Sequence, residues 1–566
     1  MVFSQLINGR VPIVLGAIGH RDIDTADRKL IEAVRAQCHD LCSHYKHSPF
    51  VILSSLAEGA DRLIARTAMQ ELSAGLIAVL PLPRAEFEQD FETRESKAEF
   101  RRLLEDAICV HTVPTGDNGA WREPGEARNR QYARAGAVIV DHAQILFAAW
   151  DGQKARGLGG TGEQVEWFRQ GYSPRQYSLY ANAISPLDPL EPGRMIWIHP
   201  KTAKTQIKEG PVFPDNEQAG GTSSIRSILV RIDDYNRDVM SNDGIAAGVA
   251  PLAAGGEVGA LSLTNDTYRC ADALSVRYAN TVRRTDNIIY FLALFAVFAF
   301  NFVSAKPLAP GIYLGITGVM FLLGVRIWFG RKDDRLLEYR ALAEAMRTLF
   351  FWRACGLKYP VWLPFLSRQS GVVHWIRHAV RSIEFCQDCL LAHDAEPSGK
   401  KTVDLIKSAW VDHQKKWFAS KQQYHFERYE FWNRIARLAL VTSFATAIAL
   451  AVMTVVPFWS RHTLWKIWVK PEAYADYWQA ALGFFTAGSL AARGLVARKA
   501  HLELAKQYAS QKLLFENASR ILGIIKSGVA PEWTAEAVLA RLGQEALREQ
   551  GEWLWLRHTR PFEVPG

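Results

Sequence analysis

The sequence predicts an α/β domain with a parallel sheet at the N-terminus, followed by an all-α membrane region with four transmembrane helices. Two patterns support this fold class. In the first part of the chain, short apolar and β-branched runs alternate with stretches of helical spacing, which is typical of a parallel sheet covered by helices. After residue 286, four runs carry no charged residue and approach the length of a membrane span.

Composition limits the class of protein. The chain has 566 residues, of which 49% are apolar and 22% are charged, which excludes disordered, collagen-like and small disulfide-rich proteins. A net charge of +9 suits an anionic partner such as nucleic acid, anionic lipid or a nucleotide. No signal peptide is recognisable, because the apolar run 11–19 is too short and lacks a cleavage site. The seven cysteines are scattered, so no disulfide framework is expected.

The N-terminal elements follow in order. Strands are predicted at 11–17, 50–53, 75–80, 144–150 and 195–199. Helices are predicted over 22–45, over 61–72 and from the glycine-rich turn at 157–163 to residue 168. Residues 137–140 fit either a helix or a strand.

Three glycine-containing turns fall at the predicted carboxyl ends of strands, where ligands of parallel sheets bind. Glycine lets backbone N–H groups approach a phosphate, and a following helix N-terminus adds partial positive charge. None of the turns is a GxGxxG or Walker A motif. A tight turn alone could explain each glycine. The predicted ligand-binding residues are Gly19, His20, Arg21, Ser54, Ser55, Glu58, Gly59, Asp61, Asp151, Gly152, Gly159, Gly160, Thr161, Gly162 and Glu163.

The segments 16–21, 53–61, 150–152 and 159–162 together resemble the SLOG superfamily over residues 8–203. This Rossmann-like group includes DprA-like proteins, the LOG phosphoribohydrolases and the N-terminal domains of melastatin-type TRP channels. The resemblance implies a pocket at the sheet edge for a nucleotide or a nucleotide-derived signal. It implies no further cofactor, and no metal site is expected.

A departure from the LOG pattern PGGxGTxxE leaves hydrolysis open. Leu158 replaces the proline and Glu163 replaces the threonine, where a carboxylate would repel phosphate. If the domain is catalytic, the resemblance and the turn chemistry indicate Glu166, Asp151 and Arg130 as the catalytic residues, with Arg128 as an alternative to Arg130. Glu166 also fits a solvated helix position. Binding without turnover is the preferred interpretation.

The charge-free runs are 287–305, 307–325, 438–460 and 477–492, and the last becomes a span only if Arg493 snorkels. Lysine and arginine flank both pairs, which places both termini in the cytoplasm of an inner or plasma membrane. Buried core helices are the alternative. Between the second pair, a loop rich in Trp and Tyr is suited to the outer interface.

A weak internal repeat links the two pairs. Each pair is followed by Arg-Lys, then Leu-Glu, then Phe twelve residues after the glutamate, ending at Phe350 and at Phe515. These units resemble SLATT domains, the two-transmembrane effector modules associated with SLOG partners. The first unit matches through 271–272, Tyr278, 338–340, 342–344, Arg347 and 350–352, and the second more loosely through Trp417, 422–424, Glu503 and Phe515.

The predicted divisions are a nucleotide-binding domain at 1–203, a linker at 204–265 with a possible helix over 223–239, a first two-span unit at 266–355, a connecting segment at 356–404, a second two-span unit at 405–525 and a cytoplasmic tail at 526–566. Cys386 and Cys389 form a single CxxC, which predicts a packed helix face more strongly than a metal or redox site.

The charge-free runs predict a membrane protein, and the two resemblances imply an effector of a bacterial antiviral defence system. A nucleotide-derived messenger would bind the SLOG-like domain, and the spans would open a pore or disrupt the bilayer. A homo-oligomer and the lipid bilayer are the expected partners, without nucleic acid. Two alternatives stay open: a membrane-anchored hydrolase of a nucleotide or NAD-like substrate, and a structural anchor that recruits a partner.

Overall fold

A computed structural model of the chain describes residues 7–559 with the exception of 116–118, 156, 182, 184–189, 191–192, 211–223, 254–256, 301–307, 331, 367–372, 394–398, 460–470 and 528–532. The chain forms two compact units. The first comprises residues 1–274, 338–406 and 533–557, and the second comprises residues 275–337, 407–532 and 558–566.

A seven-stranded sheet forms the centre of the first unit, in the order β4-β3-β2-β1-β5-β6-β7. Strands β1 to β6 are parallel, and β7 pairs with β6 in the antiparallel direction. The strands are β1 (Ile13–Gly19), β2 (Phe50–Ser54), β3 (Gly75–Leu80), β4 (Cys109–Thr112), β5 (Ile145–Ala149), β6 (Gly193–Ile198) and β7 (Thr205–Gly210).

Helices occupy most of the remaining described chain. The helices up to residue 300 are α1 (Arg28–His44), α2 (Ala60–Leu72), α3 (Arg84–Phe87), α4 (Arg94–Asp106), α5 (Glu126–His142), α6 (Thr161–Gln170), α7 (Ile225–Met240), α8 (Glu257–Ala260) and α9 (Ser262–Phe300). The later helices are α10 (Ala309–Gly330), α11 (Lys332–Ala354), α12 (His374–His393), α13 (Gly399–Ile406), α14 (His413–Trp459), α15 (Pro471–Lys499), α16 (His501–Lys526) and α17 (Ala535–Thr559).

The strand order places a topological switch point at β1. The chain builds outward from β1 through β2 and β3 to β4, and then crosses to β5 on the other side of β1. Strands β1, β2, β3 and β5 are apolar on both faces because helices cover both sides, as is usual for parallel sheets. In such sheets the carboxyl ends of the strands flanking the switch point form the ligand crevice.

The predicted parallel α/β sheet is confirmed, and local chemistry explains where its helices begin and end. Helix α1 begins at Arg28 rather than at residue 22, because the Asp27 side chain accepts a hydrogen bond from the Lys29 backbone at 2.9 Å and caps the helix. Helix α2 ends before Ser73, which has a left-handed φ of 51°. Residues 137–140, which the sequence left ambiguous, are helical within α5.

The sheet unit extends over more of the chain than the predicted domain 1–203. Strand β7 and helix α7 both lie in the segment predicted to be a linker. Asn236 of α7 is fully buried: its Oδ1 accepts from the Val11 backbone N–H at 2.7 Å, and its Nδ2 donates to Val11 O at 2.8 Å. Helix α12, from the predicted connecting segment, packs against β4. Both segments are therefore part of the first unit.

The second unit is helical. Helix α14 packs along α15 and α16, and the described end of α9, helix α10 and a π turn at Lys407–Asp412 complete it. The predicted all-α region after the sheet domain is confirmed at this level.

Two helical stretches among the described residues, not four, are long and apolar enough to cross a membrane: Val403–Val452 and Tyr477–Lys526. The run 307–325 lies in α10, whose apolar part Ala309–Val325 is shorter than these two stretches. The run 287–305 belongs to α9, and its last residues lie outside the described chain. The loop 461–470 with its tryptophans is also outside the described residues.

Candidate functional site

The carboxyl ends of β1 and β5 bring His20 and Asp151 into contact. His20 directly follows β1, and Asp151 comes two residues after the end of β5. The Nε2 atom of His20 lies 3.0 Å from Asp151 Oδ1 and 3.2 Å from the Asp151 backbone nitrogen. Each side chain is about a quarter exposed. The two polar groups therefore face solvent at the switch point and can exchange hydrogen bonds with a ligand there.

The turn after β2 is fitted closely against the turn after β1. The Ala60 N–H donates to the His20 carbonyl at 3.1 Å. Gly59 has a φ of 81°, and a Cβ at this position would lie 2.3 Å from the Arg21 carbonyl oxygen. Only glycine satisfies both the left-handed backbone and the close approach of the two turns. The glycine thus fixes the position of His20 and Arg21.

Asp61 lies beneath these turns and is only 5% exposed. Its carboxylate accepts from the Ser55 hydroxyl at 2.6 Å and from the Gly19 backbone N–H. Burial raises the pKa of Asp61 to about 7, against the hydrogen bonds from Ser55 and Gly19 and the nearby charge of Arg21. Asp61 therefore joins the turns after β1 and β2 and titrates near neutral pH.

Arg21 is the exposed cation of this edge. Its guanidinium lies 5.4 Å from the ring centre of Tyr132 on α5, a cation–π distance. Tyr132 donates a hydrogen bond to Asp90, and so does Arg128 at 2.6 Å. Arg128 therefore anchors the helix that supports Tyr132, whereas Arg21 keeps its donors available at the surface.

Sequence reasoning missed Arg62, a buried cation that organises the same loop. Its Nε donates to the Leu56 carbonyl at 2.9 Å, and its Nη1 donates to the Ser96 carbonyl at 2.9 Å. The guanidinium lies 4.4 Å from the Phe91 ring centre. The side chain is 2% exposed, and burial lowers its pKa. Nothing in the pattern of charged residues on α2 distinguishes it from a solvated arginine.

The predicted residues Ser54 and Glu58 have structural partners. The fully buried Ser54 hydroxyl accepts from the Leu56 N–H at 3.1 Å, in a turn where Leu56 has a φ of 56°. Glu58 accepts a hydrogen bond from Ser96. Both residues shape the turn after β2.

The glycine-rich turn after β5 is closed by its own carboxylate. Glu163 Oε2 accepts from the Gly159 backbone N–H at 2.7 Å, and Gln164 donates to the Gly159 carbonyl at 2.7 Å. Gly159 has a φ of 76°, and a Cβ there would lie 2.6 Å from the Ala133 nitrogen. The Glu163 carboxylate thus occupies a backbone N–H donor of the turn that was predicted to bind a ligand phosphate.

The other glycines of this loop serve the backbone. Gly152 has a φ of 85° beside the Trp197 ring. A Cβ on Gly162 would lie 2.6 Å from the Ala155 nitrogen, whereas one on Gly160 would come no closer than 3.1 Å to the Gly157 carbonyl. Thr161 is the first residue of α6.

The catalytic candidates do not converge on one site. Glu166 is exposed and accepts from Arg169 at 3.3 Å and from Gln170 at 2.9 Å, both on its own helix. Arg130 is exposed and donates to Glu126 at 3.0 Å on its own helix. Of the predicted candidates, Asp151 alone contacts His20 at the switch point.

A groove of about 480 Å³ lies beside the point where β6 begins and β7 ends, away from the carboxyl ends of the parallel strands. It is lined by Glu166, Phe168, Arg169, Gln170, Met195, Lys208, Glu209 and Gly210. Because ligands of parallel sheets bind at the carboxyl ends of strands, the groove is not the expected site.

Within the described chain, no three His, Cys, Asp or Glu side chains are placed to hold a metal ion. Cys386 and Cys389 are buried in α12, on a packed helix face.

No protein-family model, no curated protein and no solved structure matches this chain.

Proposed function

We propose that the first unit binds an anionic, nucleotide-derived ligand at the carboxyl ends of β1, β2 and β5. The observation that carries this proposal is the contact of His20 with Asp151 across the switch point, beside the exposed Arg21. Arg21 would donate to a phosphate, and Asp151 would accept from ribose hydroxyls. The buried Asp61 carboxylate holds the turns after β1 and β2 together through its hydrogen bonds with Gly19 and Ser55.

The surface of the second unit supports a place in a membrane. Only 17% and 22% of the most apolar windows of its two candidate spans are buried within the chain, which differs from the core helices of soluble proteins. Large apolar side chains such as Leu438, Val441, Phe444 and Leu490 are exposed. A lipid environment would cover them.

Hydrogen bonds made by small polar side chains join the two candidate spans. Ser443 and Thr486 are hydrogen-bonded at 2.6 Å, and the Ser489 hydroxyl donates to the Ala436 carbonyl at 2.9 Å. Thr442 and Thr446 donate to carbonyls of their own helix. Such bonds are typical of helices that pack within lipid. These residues therefore support helix association rather than the lining of a pore within one copy of the chain.

On this basis we infer a membrane effector that combines a SLOG-like sensor with SLATT-like units. The two candidate spans with cytoplasmic termini, a homo-oligomeric pore and a role in antiviral defence belong to the same proposal. A ligand drives the change only if it binds the active state more tightly than the resting state.

Calorimetry on the full chain in lipid nanodiscs tests the site, with ADP-ribose and AMP as probes. Arg21→Ala should weaken binding about 10- to 100-fold, since it removes a charge-assisted hydrogen bond of ~1.5–3 kcal/mol. Arg130→Ala is the matched control, because it removes an exposed arginine whose partner is Glu126 on the same helix. Equal affinities of the two variants would exclude Arg21 from the site.

A hydrolase is the second candidate, and the raised pKa of Asp61 and the His20–Asp151 contact favour it. Product analysis with the same probes separates the two functions. Asp151→Asn should reduce turnover at least ~100-fold in a hydrolase. In a sensor, the wild-type chain leaves the probe intact and ligand-dependent dye leakage from vesicles reports the output.

A further inference from the structure

Three cysteines that are far apart in the sequence meet inside the first unit. Cys109 is the first residue of the strand β4, and Cys386 and Cys389 lie one turn apart on α12. Their exposed fractions are 5%, 0% and 1%. The Cys109 thiol lies 2.9 Å from the Cys389 carbonyl oxygen, and the Cys389 thiol is also its side-chain hydrogen-bond partner.

We propose that Cys109 and Cys389 form a reversible disulfide that links strand β4 of the sheet to helix α12. The Cys109 thiol already lies 2.9 Å from the Cys389 backbone and α12 packs against β4, so the bond requires a rotation of side chains rather than a rearrangement of the elements. The pair stands apart from the ligand site, and the inference does not depend on the proposed function.

Burial decides which oxidant can react. A peroxide is small enough to reach the thiol of Cys109, a residue that is 5% exposed, whereas a bulky disulfide is not. The Cys109 thiolate attacks one oxygen of hydrogen peroxide, which breaks the O–O bond and, with a proton, gives a sulfenic acid and water. The Cys389 thiolate then attacks the Cys109 sulfur, and the hydroxide that leaves takes up a proton. Two thiols and one peroxide thus give one disulfide and two waters.

The order of attack follows from the surroundings of the two thiols. The hydrogen bond from Cys389 lowers the pKa of Cys109, whereas that bond and burial raise the pKa of Cys389. Cys109 is also the more exposed of the two. It therefore supplies the thiolate that meets the oxidant first.

The test uses the purified full-length protein treated with hydrogen peroxide. Remaining thiols are alkylated under denaturing conditions, and the protein is digested without reductant for mass spectrometry. We expect a linked pair of peptides containing Cys109 and Cys389 that disappears on reduction. Cys42, the exposed cysteine of α1, reports that the oxidant is active, and should be oxidised without forming a link to another cysteine.

Variants and stability complete the test. The link should persist in Cys386→Ser and disappear in Cys109→Ser. In the wild-type protein, peroxide should raise Tm by about 5 °C or more, because the bond closes a loop between positions 280 residues apart. Two results in the wild-type protein would overturn the proposal: Cys109 and Cys389 are still alkylated when Cys42 has been oxidised, or the link involves Cys386. Neither result depends on the folding of the serine variants.

Discussion

Replacing Asp61 by Asn should change the pH dependence of stability in the sheet unit. Asp61 is 5% exposed, and burial raises its pKa from 3.8 to about 7. At about 1.36 kcal/mol per pH unit, this difference corresponds to about 4 kcal/mol between the protonated and ionised forms. Asn keeps the shape of the side chain and removes the titration.

The sign follows from proton binding. The folded state holds the Asp61 proton up to about pH 7, whereas the unfolded state releases it near pH 4. The free energy of unfolding should therefore decrease between pH 4 and pH 7 by up to about 4 kcal/mol through this group, and then level off. Asp61→Asn lacks that decrease. Altered hydrogen bonds to Ser55 and Gly19 add only an offset that does not vary with pH.

Hydrogen exchange on the full-length protein measures this effect locally, through the protected amides of β1 and α2. The opening free energy of the variant minus that of the wild type should increase from pH 5 to about pH 7 and then remain constant. Glu166→Gln is the control, since it removes one exposed carboxylate from the same unit. Parallel pH profiles for wild type and Asp61→Asn would refute a protonated Asp61 at neutral pH.

Three further predictions concern packing. Arg353→Ala should destabilise the first unit by about 3–5 kcal/mol in denaturant unfolding, because it leaves the fully buried carboxylate of Glu384 without its cation. Gly59→Ala should abolish probe binding in calorimetry, since its Cβ would lie 2.3 Å from a carbonyl oxygen, whereas Gly157→Ala meets no atom within 4 Å and should bind normally. Ser489→Ala should weaken helix association in detergent by about 0.6–1.7 kcal/mol.

Burial explains which strands could be predicted. Strands β2, β3 and β5 are covered on both faces, so their sequences are continuous apolar runs. Strand β4 has the sequence Cys-Val-His-Thr and is partly exposed, and strand β7 reads Thr-Gln-Ile-Lys-Glu-Gly and is almost entirely exposed. Neither carries an apolar signal, because each lies at an end of the strand order.

The site could be predicted only as a set of turns. The glycines and polar residues after β1, β2 and β5 were recognisable, but the contact between His20 and Asp151 depends on a strand order that the sequence does not contain. Asp61 was predicted to bind the ligand directly, whereas it lies buried beneath the turns. Arg62 was missed because burial, not residue type, gives it its role.

The membrane prediction depended on the absence of charge alone. That criterion found the apolar parts of α14 and α15, and these helices also expose their apolar side chains. It did not show where the helices end: the run at 307–325 lies in α10, which continues to Gly330. The hydrogen bond between Ser443 and Thr486 shows why polar residues in a span do not identify a pore.

Glu163 changes what the glycine-rich turn after β5 can bind. A carboxylate at this position was expected to repel a phosphate that approaches the glycines. Instead its Oε2 accepts from the Gly159 N–H at 2.7 Å and satisfies the donor that a phosphate would use. A ligand anion at this turn would have to displace a carboxylate that is already hydrogen-bonded. Anion recognition at this edge therefore falls to Arg21, whose side chain is exposed beside Tyr132.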